Sequence, residues 1–545
     1  MPATWLTRGP GDLLTALDDN AEHRPDHLAV QWRGRSLTYA QLATRTRQVA
    51  GAMAADGVAA GHRVAVLARN RVELVEVYFA ALVLGAVPVV LNWRLATAEL
   101  RAIVEDAEAR LVVVDPQVPS ADGLVDPTRD GPAIVLLAST TGNEMASTRG
   151  RDYDTWVGEA VPVAGRSSSD LDDACVQLYT SGTTGRPKGV LLSHRNMWSL
   201  LSGAHEDWRV MPGSVLLCPL PAFHIGGLGW ILVSVARGAT VVLLEEARPD
   251  LILRSISAHG VTHVILVPAL MASIVEQQLR DRLDIRALEI IVYGASPIPR
   301  TQLREALEVL DADFIQAYGM TESCSSMTQL GPEAHREAAG QPEPAEGEPD
   351  LLRSCGRPRR GIELSIRALH DGTELPVGEV GEVWVRSAQV MAGYWRRPEE
   401  TAAVLMPGGW LRTGDMGYFG PDGHLYLCDR VKDMIISGGE NIFPAEVESV
   451  LLDHPAVAEV AVIGVPSQRW GERPKAYLVL VPSAATPDLK DIRAFCRARL
   501  ASFKCPDEIE VVPTLPRNAS GKLLKKELRR LVTPNLPTGQ SSSVR

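Results

Sequence analysis

With 545 residues the chain exceeds one ordinary hydrophobic core, so two or more domains are expected. A hydrophobic share of 46% beside 22% charged residues is that of a soluble globular enzyme. The formal net charge of -11 excludes a general affinity for nucleic acid or anionic lipid, although Arg186 and Lys188 leave room for a small anionic ligand.

Seven scattered cysteines without a C-x-x-C pair read as reduced thiols of a cytoplasmic protein, not as a disulfide framework or a zinc site. The opening "MPATWLTRGPGDLL" lacks the pattern of a signal peptide. The most apolar run, "VYFAALVLGAVPVVL" at 77–91, is too short for a membrane span and carries Gly85 and Pro88, so it reads as a buried helix turning into a strand.

In chain order, "YAQLATRTRQVAGAMAADG" (39–57) has apolar positions at helical spacing and a terminal glycine. "HRVAVLA" reads as a strand, "ELVEVYFAALVLG" as a helix, and "VPVVL" and "ARLVVVD" as strands. The rhythm returns at 230–320 with "ATVVLL", "VTHVILVP", "LEIIVYG" and "ADFIQAYG". Such alternation implies largely parallel sheets covered by helices. The Pro- and Glu-rich stretch "GPEAHREAAGQPEPAEGEPD" (331–350) reads as a solvent loop. From about 361 short strands with turns follow: "GIELSIRA", "GEVGEVWVRS" and "GHLYLCDR". After "DRVKD" comes a smaller α+β unit, with helix "AEVESVLLDH", strands "VAEVAVIGV" and "KAYLVLVP", and helix "LKDIRAFCRARL". The end, "TPNLPTGQSSSVR", reads as disordered, and there are no internal repeats.

Five stretches carry chemistry. In "YTSGTTGRPKGV" (179–190) glycines let backbone N–H groups approach an anion, hydroxyls add donors, and Lys188 supplies a point charge; this is not the G-x-x-x-x-G-K-[ST] loop. "QAYGMTES" puts Tyr318, Thr321 and Glu322 at a strand end, where open α/β sheets bind ligands; Glu322 could hold Mg²⁺ by one carboxylate. "YGASPIP" from Tyr293 is a similar strand-end loop. "WLRTGDMGY" sets Asp415 in a glycine turn, a carboxylate suited to two ribose hydroxyls, with Arg430 at a later strand end. "PRNASGK" puts Lys522 in a turn before a basic helix. Singly, each has a plainer reading: a Ser/Gly/Thr linker, a turn with an exposed acid, an Asp satisfying its own turn, or a solvated lysine.

Together these motifs resemble the adenylate-forming (ANL) superfamily, which includes acyl-CoA synthetases, firefly-type luciferases and the adenylation domains of peptide synthetases. The matching stretches also include "LTYAQL", "LNWRL", "PLPAFHIGG", "GYWRRPEET", "DRVKDMIISGGENIFPAEVE" and "WGERPKA", so the resemblance spans Leu37 to Leu531. It implies an α/β protein: a large N-terminal domain of parallel-type sheets with packed helices and a short-stranded β subdomain (1–429), a hinge (430–432) at Lys432, a small mobile α+β C-terminal domain (433–531), and a tail (532–545).

It further implies that a carboxylate attacks the α-phosphorus of ATP, releasing pyrophosphate, and that a thiol then displaces AMP from the acyl-AMP. Lys522 bridges the incoming carboxylate and the α-phosphate. Glu322 binds Mg²⁺, and Thr321 contacts the α-phosphate. Thr180, Ser181, Gly182, Thr183, Thr184, Gly185 and Lys188 handle the outer phosphates. Gly294, Ala295, Ser296 and Tyr318 frame the adenine, Gly319 belongs to the same nucleotide site, and Asp415 with Arg430 hold the ribose. Rotation of the small domain withdraws Lys522 and presents Ser437, Gly438, Gly439 and Glu440 to the pantetheine of CoA. Phe223, His224, Gly226, Gly227 and Trp230 form the acyl pocket, His224 as the gate. Phe223-His224 stands where amino-acid activators carry an acidic residue, which points to an apolar carboxylic acid.

The leading reading is therefore an ATP-, Mg²⁺- and CoA-dependent acid–CoA ligase acting on a fatty, medium-chain or related apolar acid, as a monomer or homodimer. An adenylating enzyme serving a carrier protein or an amine remains open, as do a luciferase-like oxygenation and a non-catalytic nucleotide-binding relative. One departure from the family pattern is "CDR", where many members have a glycine before the arginine.

Overall fold

Aliphatic runs with no polar alternation make strands that must be covered on both faces, and the chain meets that demand with helices between them. The computed structural model describes residues 12–124, 131–138, 150–167, 170–181, 187–294, 298, 300–342, 350–437, 440–467, 469–482, 484–517 and 523–532. Contacts divide the chain into two units, one of 1–365, 384–413 and 420–426, the other of 366–383, 414–419 and 427–545.

In the first unit, described strands form a nine-stranded and an eight-stranded sheet. The nine-stranded sheet runs Arg357–Pro358, Ser325–Leu330, Asp313–Met320, Ile290–Gly294, His263–Leu266, Val215–Cys218, Thr240–Leu243, Leu28–Trp32 and Arg35–Thr38. It is parallel from Asp313–Met320 to Leu28–Trp32 and antiparallel at both ends. The eight-stranded sheet runs Gly393–Tyr394, Pro187–Ser193, Ala174–Ser181, Val87–Val90, Arg63–Leu67, Ala109–Val114, Ala133–Leu136 and Arg151–Asp152. Its first three strands are antiparallel to one another and the rest parallel.

The helix Tyr39–Ala55 starts at Thr38, whose side chain accepts from Gln41 N–H while Gln41 returns a bond to the Thr38 N–H. All of Val72–Val83 is buried, as the apolar run at 77–91 led one to expect. Among the described residues no helix is long and apolar enough to cross a membrane, and the seven cysteines are free thiols.

The solvent loop expected over 331–350 is corrected in its first half. Pro332–Gly340 is a helix with Pro332 in its first turn, where proline's missing N–H costs nothing. His335 is fully buried: its Nδ1 lies 2.8 Å from the Gly331 carbonyl and its Nε2 2.8 Å from the Tyr293 hydroxyl. Residues 343–349 lie outside the described residues.

In the second unit Val457–Ser467 and Gly471–Leu480 pair as a long antiparallel hairpin, extending both strands read from sequence toward each other. Glu440–Ile442 and Ile435–Ser437 continue the sheet, and Glu508–Val511 lies parallel beside Gly471–Leu480. Helices Pro444–Leu452 and Leu489–Arg497 bury Val447, Leu451 and Ile492 against Val462 and Leu478. The tail read over 532–545 lies outside the described residues except Val532, which ends the helix Lys525–Val532.

Candidate functional site

The phosphate-loop candidate is the connection of a hairpin. Ala174–Ser181 and Pro187–Ser193 pair antiparallel, with Thr180 opposite Lys188 and Ser181 opposite Pro187. Alternation buries Val176, Leu178, Val190 and Leu192 in the core, which fixes the register and hence where Lys188 stands. Gly182, Thr183, Thr184 and Gly185 lie outside the described residues.

The strand Gly393–Tyr394 pairs with the outer edge of this hairpin, Tyr394 opposite Val190. The Lys188 Nζ stands 4.9 Å from the centre of the Tyr394 ring, and the Tyr394 hydroxyl donates to Glu322 Oε1 at 3.0 Å. Glu322 is buried in the short 3-10 turn Thr321–Ser323 that follows Asp313–Met320, and its carbonyl accepts from Met391 N–H at 2.9 Å. Two residues read separately, Lys188 and Glu322, thus meet at one ring. Tyr394 was not singled out from sequence; its signal was the "GYWRRPEET" stretch, used only for the resemblance.

Gly294 and Gly319 are required by close approach. A Cβ on Gly294 would lie 2.2 Å from the Ala317 carbonyl oxygen, and one on Gly319 1.6 Å from that of Ser325. Tyr318, between them along the chain end of Asp313–Met320, is half-buried, as is Thr321. Ala295 and Ser296 lie outside the described residues.

Asp415 and Arg430 belong to the second unit and are brought together there. Asp415 is 8% exposed, and its Oδ1 lies 3.3 Å from Arg430 Nε. Asp429 accepts from the Arg430 N–H and from the Ala445 N–H, so a carboxylate in "CDR" ties the strand end to the start of Pro444–Leu452. Lys432 is exposed in the turn after Leu425–Arg430. Ser437 is buried and stands opposite exposed Glu440; Gly438, Gly439 and Lys522 lie outside the described residues.

The acyl-pocket candidates divide. His224 caps the helix Ile225–Ala236 by position only, with no side-chain cap bond, and its Nε2 is buried with no hydrogen-bond partner among the described residues. Burial, and then the Arg94 guanidinium, push its pKa down to about 4, so the imidazole is neutral at pH 7. Its ring centre is 4.5 Å from that of Phe223, which meets Trp93 edge-on at 6.1 Å. Among the described residues Gly226 has only Leu220 Cδ1, at 3.9 Å, near where a Cβ would be, whereas Gly227 sits against the Pro221 carbonyl oxygen at 2.3 Å. Trp230 is 2% exposed, donates to the Leu217 carbonyl at 3.1 Å and packs on Trp208 in the main core.

Comparison with known proteins identifies the family. The model of the AMP-binding enzyme family matches residues 17–395, and that of the AMP-binding enzyme C-terminal domain matches 446–522. A fatty acid–[acyl-carrier-protein] ligase, ScoC, of Streptomyces coeruleorubidus is 36% identical over 95% of this chain and 96% of its own length. Among solved structures, the O-succinylbenzoate coenzyme A synthetase MenE of Bacillus subtilis, in complex with ATP and magnesium ion, superposes with a TM-score of 0.79 at 34% identity. It covers 95% of this chain and 98% of its own. The amide bond synthetase McbA of Marinactinospora thermotolerans superposes with a TM-score of 0.83 at 33% identity, covering 95% and 99%. The chain belongs to the AMP-binding enzyme family, within the adenylate-forming (ANL) superfamily of ligases.

Proposed function

We propose that the protein is an ATP- and Mg²⁺-dependent carboxylic acid–CoA ligase acting on an apolar acid. The observation that carries this reading is the meeting of Lys188 and Glu322 on opposite parts of Tyr394, a cation and a buried acid beside a strand-end loop. Among the described residues no three metal-ligating side chains cluster. Glu322 would supply a carboxylate to Mg²⁺, an ion bound by one or two of them. When bound, the ion neutralises phosphate charge as the leaving group departs.

In the first half-reaction a substrate carboxylate oxygen bonds to the α-phosphorus and the bond from that phosphorus to the bridging oxygen breaks, releasing pyrophosphate. An anion must approach a polyanion, so the protein's work is neutralisation and alignment. Lys522 neutralises the incoming carboxylate, Lys188 steadies the departing phosphates, Glu322 positions the metal, and Asp415 with Arg430 orients the ribose. In the second half-reaction the CoA thiolate attacks the acyl carbon and AMP leaves with the anhydride oxygen. The turn 430–432, at Lys432, is the hinge between these steps, and Ser437 to Glu440 line the thiol's approach.

Phe223, His224, Trp93 and the open side of Gly226 suit an aryl or aliphatic acid; a neutral His224 and an arginine nearby offer nothing to a substrate ammonium. ScoC and McbA are named for a carrier-protein and an amide product, which supports a second reading for the acceptor. Incubating the protein with an acid panel, ATP and Mg²⁺, and with CoA, a phosphopantetheinylated carrier or an amine in parallel, decides it. The expected product is an acyl-CoA; an acyl carrier or an amide formed in its place overturns the acceptor, leaving acid activation intact.

A further inference from the structure

We propose that Tyr394 is a positioning residue of the adenylation step: its hydroxyl fixes the Glu322 carboxylate and its ring face holds the Lys188 ammonium. One side chain would then set the separation between the metal-binding acid and the phosphate-binding cation. This rests on the reading above that Glu322 and Lys188 serve MgATP.

The tyrosine is held as a part under control, not as filler. Its own N–H donates to Thr401 Oγ1 at 2.9 Å, while the flanking Ala392 and Trp395 N–H groups donate to the Leu191 and Gly189 carbonyls of the hairpin that carries Lys188. Met391 N–H donates to the carbonyl of Glu322 itself. The backbone around Tyr394 is therefore stitched to Glu322 and to the strand that carries Lys188. A second tie runs through Asp106. Its carbonyl accepts from the Trp395 indole N–H at 2.9 Å, and its carboxylate accepts from Arg397 at 2.6 Å and from the Tyr179 hydroxyl at 2.7 Å. Tyr179 sits opposite Gly189 and next to Thr180 in the same hairpin. Arg63 stacks on the Trp395 ring at 3.5 Å, closing the segment from outside.

The chemistry of the contacts matches the role. A phenol donating to a buried carboxylate orients it and removes part of the penalty of keeping it charged. The ring face attracts an ammonium without neutralising it, leaving the Lys188 charge for phosphate.

The two contacts separate by mutation. Tyr394→Phe keeps the ring and removes the hydroxyl; Tyr394→Leu removes both. ATP affinity is read by titration calorimetry in EDTA and in Mg²⁺, alongside the Mg²⁺ dependence of acid-dependent pyrophosphate exchange. Tyr394→Phe is expected to bind ATP normally in EDTA, to need about 10-fold more Mg²⁺, and to keep the wild-type KM for the acid. Tyr394→Leu is expected also to lose about 3-fold in ATP affinity in EDTA. A wild-type Mg²⁺ requirement in Tyr394→Phe, or equal loss with and without Mg²⁺, overturns the proposal; should Tyr394→Leu not fold, Tyr394→Phe alone decides. If the wild-type protein binds MgATP yet exchanges no pyrophosphate with any acid, the functional reading fails instead, and the two calorimetric affinities still report on Tyr394.

Discussion

Replacing Asp415 by alanine tests the ribose assignment. Asp415 is 8% exposed, but its partner Arg430 has a side chain 41% exposed, 3.3 Å away. The guanidinium left behind is solvated, so the lost ion pair should cost stability no more than about 1 kcal/mol. Binding is different. Two ribose hydroxyls donating to an ionised carboxylate are worth about 1.5–3 kcal/mol each against an unmade bond, and water recovers part of that in the variant. A net loss of about 3 kcal/mol is about two orders of magnitude in kcat/KM for ATP. The assay is pyrophosphate exchange with ATP and with 2′,3′-dideoxy-ATP. The wild-type protein should favour ATP by about 100-fold, and Asp415→Ala should treat the two nucleotides alike. A folded variant that still discriminates, or that handles ATP within about threefold of wild type, refutes the assignment.

Three further outcomes are expected. Lys522→Ala should abolish acyl-AMP formation and largely spare thioester formation from supplied acyl-AMP; equal loss in single-turnover measurements of both halves would remove Lys522 from its role. Lys188→Ala should weaken ATP use by about 10- to 100-fold in exchange, with the KM for the acid unchanged, as expected for a solvent-moderated charge on phosphate. Acid should loosen the large unit through His263 and His335, both buried and both pushed down to about 4 from 6.5, chiefly by burial. Their unfolded forms bind protons that the folded forms refuse, so stability is full above pH 6.5 and is lost as pH falls through 6.5 toward 4. Each contributes about 2 kcal/mol of loss between pH 7 and 5. In His335→Gln the urea midpoint should fall less over that interval than in wild type, and an unchanged fall would contradict the linkage.

The sheets were legible in the sequence as strands but not as neighbours. "HRVAVLA", "VPVVL" and "ADFIQAYG" announce strands by aliphatic continuity, and each is one, although in the last only Phe314 and Ile315 are buried. That Val30 pairs with Val241, or Gly393 with Leu191, depends on contacts across about 200 residues that no local pattern encodes. The same limit hid Tyr394. Its contacts to Lys188 and Glu322 arise from strand pairing, while its own neighbourhood, "GYWRRPEET", contributes only to the family resemblance. Composition misled at Pro332–Gly340, where Pro, Glu and Gly outweighed one buried histidine whose partner, Tyr293, lies on another element. Trp230 shows the reverse limit: a motif aromatic beside glycines suggested a pocket wall, and only the fold places its indole against Leu217 and Trp208.

The most direct test of the account is pyrophosphate exchange into ATP by the purified protein, run across a panel of aliphatic and aryl carboxylic acids with and without Mg²⁺. Exchange should require both an acid and Mg²⁺ and should disappear in Lys522→Ala. Exchange independent of any acid, or none with the whole panel from protein that binds ATP, would contradict it.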